Sequence, residues 1–334
     1  MKALRTAVLL AVSLGLLLPT SASAQKKVTI KMATLAPEKS AWMTVFKAGA
    51  KEIKKKSNGV INIKIYGGGR RGDEKVVVRK MLSGQLDGAA VTSVGLAQIA
   101  PEVLVLQAPR LIRNYKQLDY VRSRLKERFA KAMLKKGFVL LGWGDVGYTY
   151  LFTSKPVAKP SDMKGVKPWV WSSDPVMQSL FKLSGVRATP LPVPEVLQNL
   201  TTGLIDSFYT SPLAAIALQW GDYAKHITGL PITIGVGATV VTKKAWDKAT
   251  PEQRALIQSV NKKWHNVLIN KVRKDNKSSV GVLKNKKGLQ VTKVSAADKA
   301  AWEKLAIRVQ NDLAGRIYPK SLLNEVKALV KQAK

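Results

Sequence analysis

The sequence predicts an α/β protein of two lobes, and three observations carry that reading. Residues 28–91 alternate strand and helix patterns as β–α–β–α–β, the grammar of an open sheet covered by helices. A second unit of strands and helices opens near Gly165 and returns through residues 235–242. A long helical pattern after Thr250 has the reach to span both units. With 46% hydrophobic residues in 334, the chain has a core to bury, and wholesale disorder is excluded.

The elements follow in order. Residues 1–24 have the layout of a secretory signal peptide: Lys2 and Arg5 as the positive region, Ala7 to Leu18 as the apolar run, and Ala22-Ser23-Ala24 as the cleavage site. Val28 to Met32 is a strand leading into Ala33-Thr34-Leu35-Ala36-Pro37, and a helix starts near Ser40 with Trp42, Val45, Phe46, Gly49 and Ile53 on one face. Asn58-Gly59 stops it, Val60 to Tyr66 alternates as a second strand, Asp73 to Ser83 is a short helix, and Ala89 to Val91 a buried strand. A longer helix near residue 115 carries Leu118, Val121, Leu125, Phe129 and Met133 at helical spacing. Phe138 to Trp143 and Tyr148 to Thr153 read as two strands.

In the second unit, Gly165 to Trp171 reads as a strand, Pro175 to Leu183 and Val193 to Thr202 as helices, and Leu204 to Tyr209 as a strand. Thr250-Pro251-Glu252-Gln253 opens the long helix with a cap, a first-turn proline and a capping-box glutamine, and the pattern runs to about Ser278. The expected division is 25–150 with about 237–276 as lobe I, and 151–236 with about 277–334 as lobe II.

Composition narrows the chemistry. There is no cysteine, which excludes disulfides, Cys-ligated zinc, iron–sulfur clusters and a Cys nucleophile; two histidines make a multi-His metal centre implausible. Loss of the signal peptide lowers the formal charge from +35 to +33. The basic residues are dispersed, as in Lys54-Lys55-Lys56, Arg70-Arg71 and Lys243-Lys244, which suits a solvated basic surface better than a nucleic-acid stripe. No later apolar stretch reaches the ~20 residues of a spanning helix, so the mature chain is expected to be periplasmic, with no transmembrane segment and no nucleic-acid partner.

Gly67 to Gly72 has a phosphate-loop frame, but Asp73 and Glu74 stand where Lys and Ser/Thr are needed. They fit a helix N-terminus instead. His226 and His265 have no evident Ser/Asp constellation, and neither G-x-S-x-G nor H-E-x-x-H occurs. The expectation is a binding protein, not an enzyme, with no cofactor. Its aromatic residues Trp143, Tyr148, Tyr150, Trp169, Trp171, Phe208 and Tyr209 gather at strand ends near the lobe boundary, as the walls of a small-molecule cleft do. Strand alternation puts Trp169 and Trp171 on one face.

Several blocks in order then resemble the solute-binding proteins of tripartite ATP-independent periplasmic (TRAP) transporters, the DctP-like family. They are Gly67 to Met81 followed by Gly84-Gln85-Leu86-Asp87, Ala108-Pro109-Arg110 to Tyr115, Lys155-Pro156 to Lys167, Pro190 to Asp206, and Lys243-Lys244-Ala245-Trp246 to Gln253. The likeness covers nearly all of the mature chain. It implies the two-lobed periplasmic binding protein fold, a hinge, a long helix across both lobes, closure on a ligand, and delivery to membrane permease subunits.

The chain departs from that family at the ligand. Where members carry an Arg after the Lys-Gly-x-Lys block, Lys164-Gly165-Val166-Lys167-Pro168 is followed by Trp169. A second family Arg is replaced by Thr149, and the Asp-Gly-x-Glu-Asn-Pro block reads Asp206-Ser207-Phe208-Tyr209-Thr210-Ser211-Pro212. Neither Trp nor Thr reproduces the two-bond fork of Arg with a carboxylate. The expected ligand is therefore hydrophobic: apolar, aromatic or amphipathic. Trp169 is the expected floor, Trp171, Tyr148, Tyr150, Phe208 and Tyr209 the walls, Thr34, Thr149 and Ser211 the polar contacts, and Leu35 the lining of the first strand–helix junction. Trp169→Ala is expected to weaken binding and leave the fold intact. This likeness extends to the subgroup with a periplasmic tetratricopeptide-repeat partner. Two alternatives stand beside it: an organic-acid receptor using another basic residue such as Arg70 or Arg110, and an envelope interaction protein on the same fold.

Overall fold

Strand β1 (Val28–Thr34) buries alternate residues Val28, Ile30 and Met32 and then both faces of its last turn toward the cleft. The computed structural model describes residues 27–333, apart from the side chains of Lys286 and Lys287. The expected signal peptide lies outside the described residues. Helix α1 (Ala41–Lys56) starts at Ser40, whose hydroxyl accepts the Met43 N–H, and ends in three lysines that suit a helix C-terminus. Strand β2 (Ile61–Tyr66) and β3 (Gly88–Thr92) flank β1 in parallel, with α2 (Glu74–Leu82) between them in sequence. Helix α3 (Ser93–Ala97) and a 3-10 turn at Pro101–Gln107 lead to α4 (Tyr115–Lys135), which buries Leu118, Val121, Leu125, Phe129 and Met133 as its spacing predicts.

The two strands expected over 138–153 are one. Strand β4 (Phe138–Thr153) runs 16 residues because a later strand pairs along most of it, carrying it through Gly142, Gly144 and Gly147 with irregularities at 140–142 and 145–147. Its last residues belong to the second lobe. There the strand expected over 165–171 shortens to β5 (Trp169–Trp171), since Pro160–Gly165 is a 3-10 turn. Helix α5 (Pro175–Ser184) is capped by Asp174 and ends at Gly185 in the left-handed region; β6 (Thr189–Leu191) pairs with β5. Helix α6 (Val193–Thr201), β7 (Phe208–Thr210), α7 (Pro212–Ala217) and β8 (His226–Thr228) follow, with β7 and β8 both antiparallel to the end of β4.

Strand β9 (Thr233–Thr242) then returns to the first lobe, between β3 and β4. After α8 (Lys243–Trp246), α9 (Pro251–Lys287) opens with the Thr250/Gln253 capping box and continues past the expected end, for 37 residues, to Gly288. At 1.5 Å per residue it is about 55 Å long. It packs on α1 and β4 and, further along, on α7. Strand β10 (Gln290–Thr292) joins β8, α10 (Ala296–Leu313) covers α5, and α11 (Lys320–Gln332) packs on α4. The strand order β10-β8-β4-β9-β3-β1-β2, with β7 on β4, makes one eight-stranded path that both lobes share. The protein is a two-lobed α/β fold with β4, β9 and α9 crossing between the lobes.

Candidate ligand cavity between the lobes

Six of the ten residues expected at the site line one cavity of about 230 Å³: Thr34, Leu35, Thr149, Trp169, Trp171 and Tyr209. Trp169 is held tightly. Its ring stacks on Tyr209 at 4.9 Å and on Trp171 at 6.3 Å, meets Trp220 edge-on at 5.2 Å, and its indole N–H donates to the Leu191 carbonyl at 3.0 Å. The ring is 2% exposed, so it is core and cavity wall together. Such offset aromatic pairs add about 0.5–1.5 kcal/mol each beyond burial.

The other four stand off the wall, for reasons of strand alternation and capping. Tyr148 and Tyr150 flank Thr149 on β4, so their side chains take the opposite face; Tyr148 packs on Tyr115 at 4.7 Å. Phe208 precedes Tyr209 on β7 and stacks on Phe152 at 5.0 Å. Ser211 is fully buried as the cap of α7, its hydroxyl accepting the Ala214 N–H.

The lobes meet across the cavity through Asp73. The expectation made it a residue of the helix N-terminus, and it is the N-cap of α2, yet it makes no side-chain cap bond. Instead it accepts the Trp171 indole N–H at 2.8 Å and the Val193 N–H at 3.4 Å, both from the second lobe. Burial raises its pKa against the pull of the Trp171 bond.

Three carboxyls line the cavity itself: Glu74, Asp145 and Asp174. Glu74 accepts the Thr92 N–H, the Thr92 hydroxyl and the Gly95 N–H, and burial still pushes its pKa up to about 7. Asp174 accepts the Tyr209 hydroxyl at 2.9 Å and two N–H groups of α5, and burial pushes it up to about 6. No lysine or arginine is among the described residues lining the cavity. Behind the lining Asp145 stand two guanidinium groups: Arg122 and Arg273 both pair with it, each at 2.7 Å, and both also pair with Asp119. Arg110 is bound to Glu303 and to the Pro231 carbonyl, and exposed Arg70 to Glu38; neither lines the cavity.

Neutral polar side chains on the wall near the aromatic cluster include Thr34, Thr149, Thr210, Thr233 and Gln107, and Thr92, Thr239 and Asn261 line it further in. The Gln107 Oε1 accepts from Ser93 and from the Val236 N–H at 3.4 Å, and its Nε2 has no protein partner. The sequence reading did not assign Gln107 or Trp220 to the site; it placed Trp42 and Phe46 only on the apolar face of a helix and gave His265 no role, yet these and Trp264 line the deeper part. Among the described residues there is no group of three or more metal-ligating side chains, and no helix is long and apolar enough to cross a membrane.

Known proteins agree with this architecture. The family described as bacterial extracellular solute-binding protein, family 7, matches residues 32–315. A solute-binding protein of Chromohalobacter salexigens is 28% identical over 214 residues, 63% of this chain and 62% of that one, so the match spans less than two thirds of that relative. The C4-dicarboxylate-binding periplasmic protein DctP of Rhodobacter capsulatus is 22% identical over 268 residues, 79% of each chain. The TRAP periplasmic solute-binding protein of Ralstonia eutropha H16, solved with bound (S)-2-acetolactate, superposes with a TM-score of 0.85 at 22% identity, over 91% of this chain and 99% of that one. The sugar acid binding protein of Advenella mimigardefordensis, solved with galactonate, gives 0.86 at 20% identity, over 93% and 100%. By the extent of the family match, this chain belongs to the bacterial extracellular solute-binding proteins of family 7, the DctP family.

Proposed function

We propose that the chain is the periplasmic receptor of a TRAP-type secondary transporter, and that its ligand is a neutral apolar or amphipathic molecule, not a small carboxylate. The observation that carries this reading is the cavity wall. A chain of formal charge +35 presents no Lys or Arg there, and Trp169 occupies the position at which the family resemblance calls for Arg. The ionisable side chains of the described lining, His265 and Tyr209 apart, are carboxyls. Asp145 is already paired with Arg122 and Arg273, and burial raises the pKa of Glu74 and Asp174. An anionic ligand would therefore meet acids and no unpaired cation among the described lining residues. Of the ten expected site residues, Thr34, Leu35, Thr149, Trp169, Trp171 and Tyr209 are assigned to the ligand, with Gln107 as a donor to a carbonyl or hydroxyl.

In this reading the lobes divide as 25–150 with 237–276 and 151–236 with 277–334, although α11, from the stretch given to the second lobe, packs on α4 of the first. Binding needs no cofactor and no catalysis: a ligand that makes better contacts with the closed state shifts the population toward it. A signal peptide at 1–24 directs export, and the partners are membrane permease subunits and a periplasmic tetratricopeptide-repeat protein. The acids bound by structural relatives favour a second reading, an acid receptor with a rearranged basic residue. Native mass spectrometry of the purified protein, followed by solvent extraction, separates the two. A co-purifying lipid-like or aromatic molecule is expected; a small dicarboxylate or sugar acid overturns the proposal.

A further inference from the structure

The cavity does not end at the cleft. It continues from the aromatic wall into the first lobe, as a sleeve bounded by α1, α9 and the sheet. One stripe of α1 lines it, from Trp42 through Val45, Phe46, Gly49 and Ala50 to Ile53, the spacing of a single helix face. At 1.5 Å per residue that stripe is about 16 Å long.

The sleeve stays open because of what lies opposite. Its lining includes Ala90 and Thr92 on β3, Gly237 and Thr239 on β9, and Gly144 on β4. Ala90 pairs with Thr239, Thr92 with Gly237, and Gly237 with Gly144, so small residues stand side by side across three strands. Bulky side chains on the helices thus face a nearly bare patch of sheet. The deep end runs against the apolar cluster that contains Ile53 and Val260.

The polar atoms along the sleeve are already satisfied. The Trp264 indole N–H donates to Glu52 at 2.7 Å. The His265 Nδ1 lies 2.7 Å from the Asn261 carbonyl, which only accepts, so Nδ1 carries the proton and Nε2 accepts from the Thr239 hydroxyl at 3.0 Å. Nothing there calls for a polar ligand atom. Protein interiors seldom leave apolar space unfilled, because the lining loses its contacts. Resting on the receptor reading above, we infer that the sleeve holds the linear apolar chain of a neutral amphiphile whose polar end stays in the cleft beside Gln107 and Trp169.

The test uses the whole protein, stripped of bound molecules by unfolding and refolding, with hexanol, nonanol and dodecanol as probes and succinate as the acid control. Affinity is expected to rise by up to about fourfold per added methylene while the chain still lies in the sleeve. Gly144→Leu puts a side chain into the sleeve from the sheet. A Cβ there meets Leu268 at 3.4 Å and backbone no closer than 4.0 Å, so the strand accommodates it. Ala50→Leu blocks from the helix side and serves if the strand variant fails to fold. Ala50→Leu, one turn from the deep-end Ile53, should cost dodecanol roughly tenfold or more beyond its cost to hexanol, whereas Gly144→Leu, at the cleft end beside Asp145, should weaken both chains and is read only for the loss of dodecanol. Equal loss for hexanol and dodecanol in Ala50→Leu, or no dependence on chain length in the parent, overturns the sleeve and leaves the apolar reading standing. Binding of succinate with no binding of any alkanol overturns the apolar reading itself.

Discussion

Glu74 tests how the cavity wall is charged. Its carboxyl is 2% exposed and accepts three hydrogen bonds, from the Thr92 N–H at 2.7 Å, the Thr92 hydroxyl at 2.8 Å and the Gly95 N–H at 2.7 Å. Those donors favour the carboxylate, yet burial outweighs them and lifts the pKa from 4.5 to about 7. An acid whose pKa rises on folding binds its proton more tightly in the folded state. Its stabilising effect is complete below about pH 4.5 and is lost as the pH climbs to about 7. At 1.36 kcal/mol per unit the loss is about 3 kcal/mol, on the order of a few hundredfold in the folding constant. Glu74→Gln has no proton to release, but it offers one acceptor oxygen where two are used, and the unpaired N–H costs about 1–3 kcal/mol. Urea unfolding at constant ionic strength, followed by tryptophan fluorescence, should show the variant less stable than the parent at about pH 5 and the gap closing by about pH 8. The decline due to Asp174, between 3.8 and about 6, is common to both proteins. Parallel curves across the whole range would mean that Glu74 does not titrate there, and the burial argument would fail.

Two further perturbations probe the wall and the closure. Trp169→Ala removes a ring stacked on Tyr209 and Trp171, and should cost about 3–5 kcal/mol, against the expectation from sequence that the fold is left intact; urea unfolding measures it. Trp169→Phe keeps most of the burial and loses the indole bond to Leu191, about 1 kcal/mol, so it is the variant in which ligand affinity can be read. Asp73→Ala leaves the Trp171 N–H without its acceptor across the lobes. A hydrogen bond to a charged group contributes about 1.5–3 kcal/mol, so on the receptor reading proposed above the arrangement with the two lobes in contact should lose roughly tenfold to a hundredfold in population. Small-angle scattering of the ligand-free variant should then show a larger radius of gyration, and an unchanged radius would rule out Asp73 as the tie between the lobes.

Periodicity made most elements readable, and it failed where a neighbour overrides it. The glycines of β4 look like a break between two strands, and pairing with β9, some ninety residues later, makes them one. Trp169 and Trp171 fall on one face as the alternation says. The same rule, applied to Tyr148-Thr149-Tyr150 and to Phe208-Tyr209, separates wall from core only once the facing side of each strand is known. The sleeve was hidden for another reason. Trp42, Val45 and Phe46 form the same helix stripe whether bulky or small residues oppose it, and the alignment of Ala90, Gly144 and Gly237 is a property of the sheet. So is the cation-free wall: the sequence gives a total charge, not the side from which it is missing.

The position of β9 has a consequence for how the chain reaches this fold. Strands β3 and β4 are neighbours in sequence but never pair; β9 stands between them, antiparallel to both. A chain that begins to fold from its N-terminus therefore holds two strands with open edges until Thr233–Thr242 arrives. Loop closure across that interval is costly, and such non-local pairing slows folding. The segment between β4 and β9 is itself incomplete at that stage, because β10 pairs with β8 and α10 covers α5, and both follow β9 in the chain. The sheet of the first lobe is therefore completed from within, by β9, and both lobes need chain on either side of it to close.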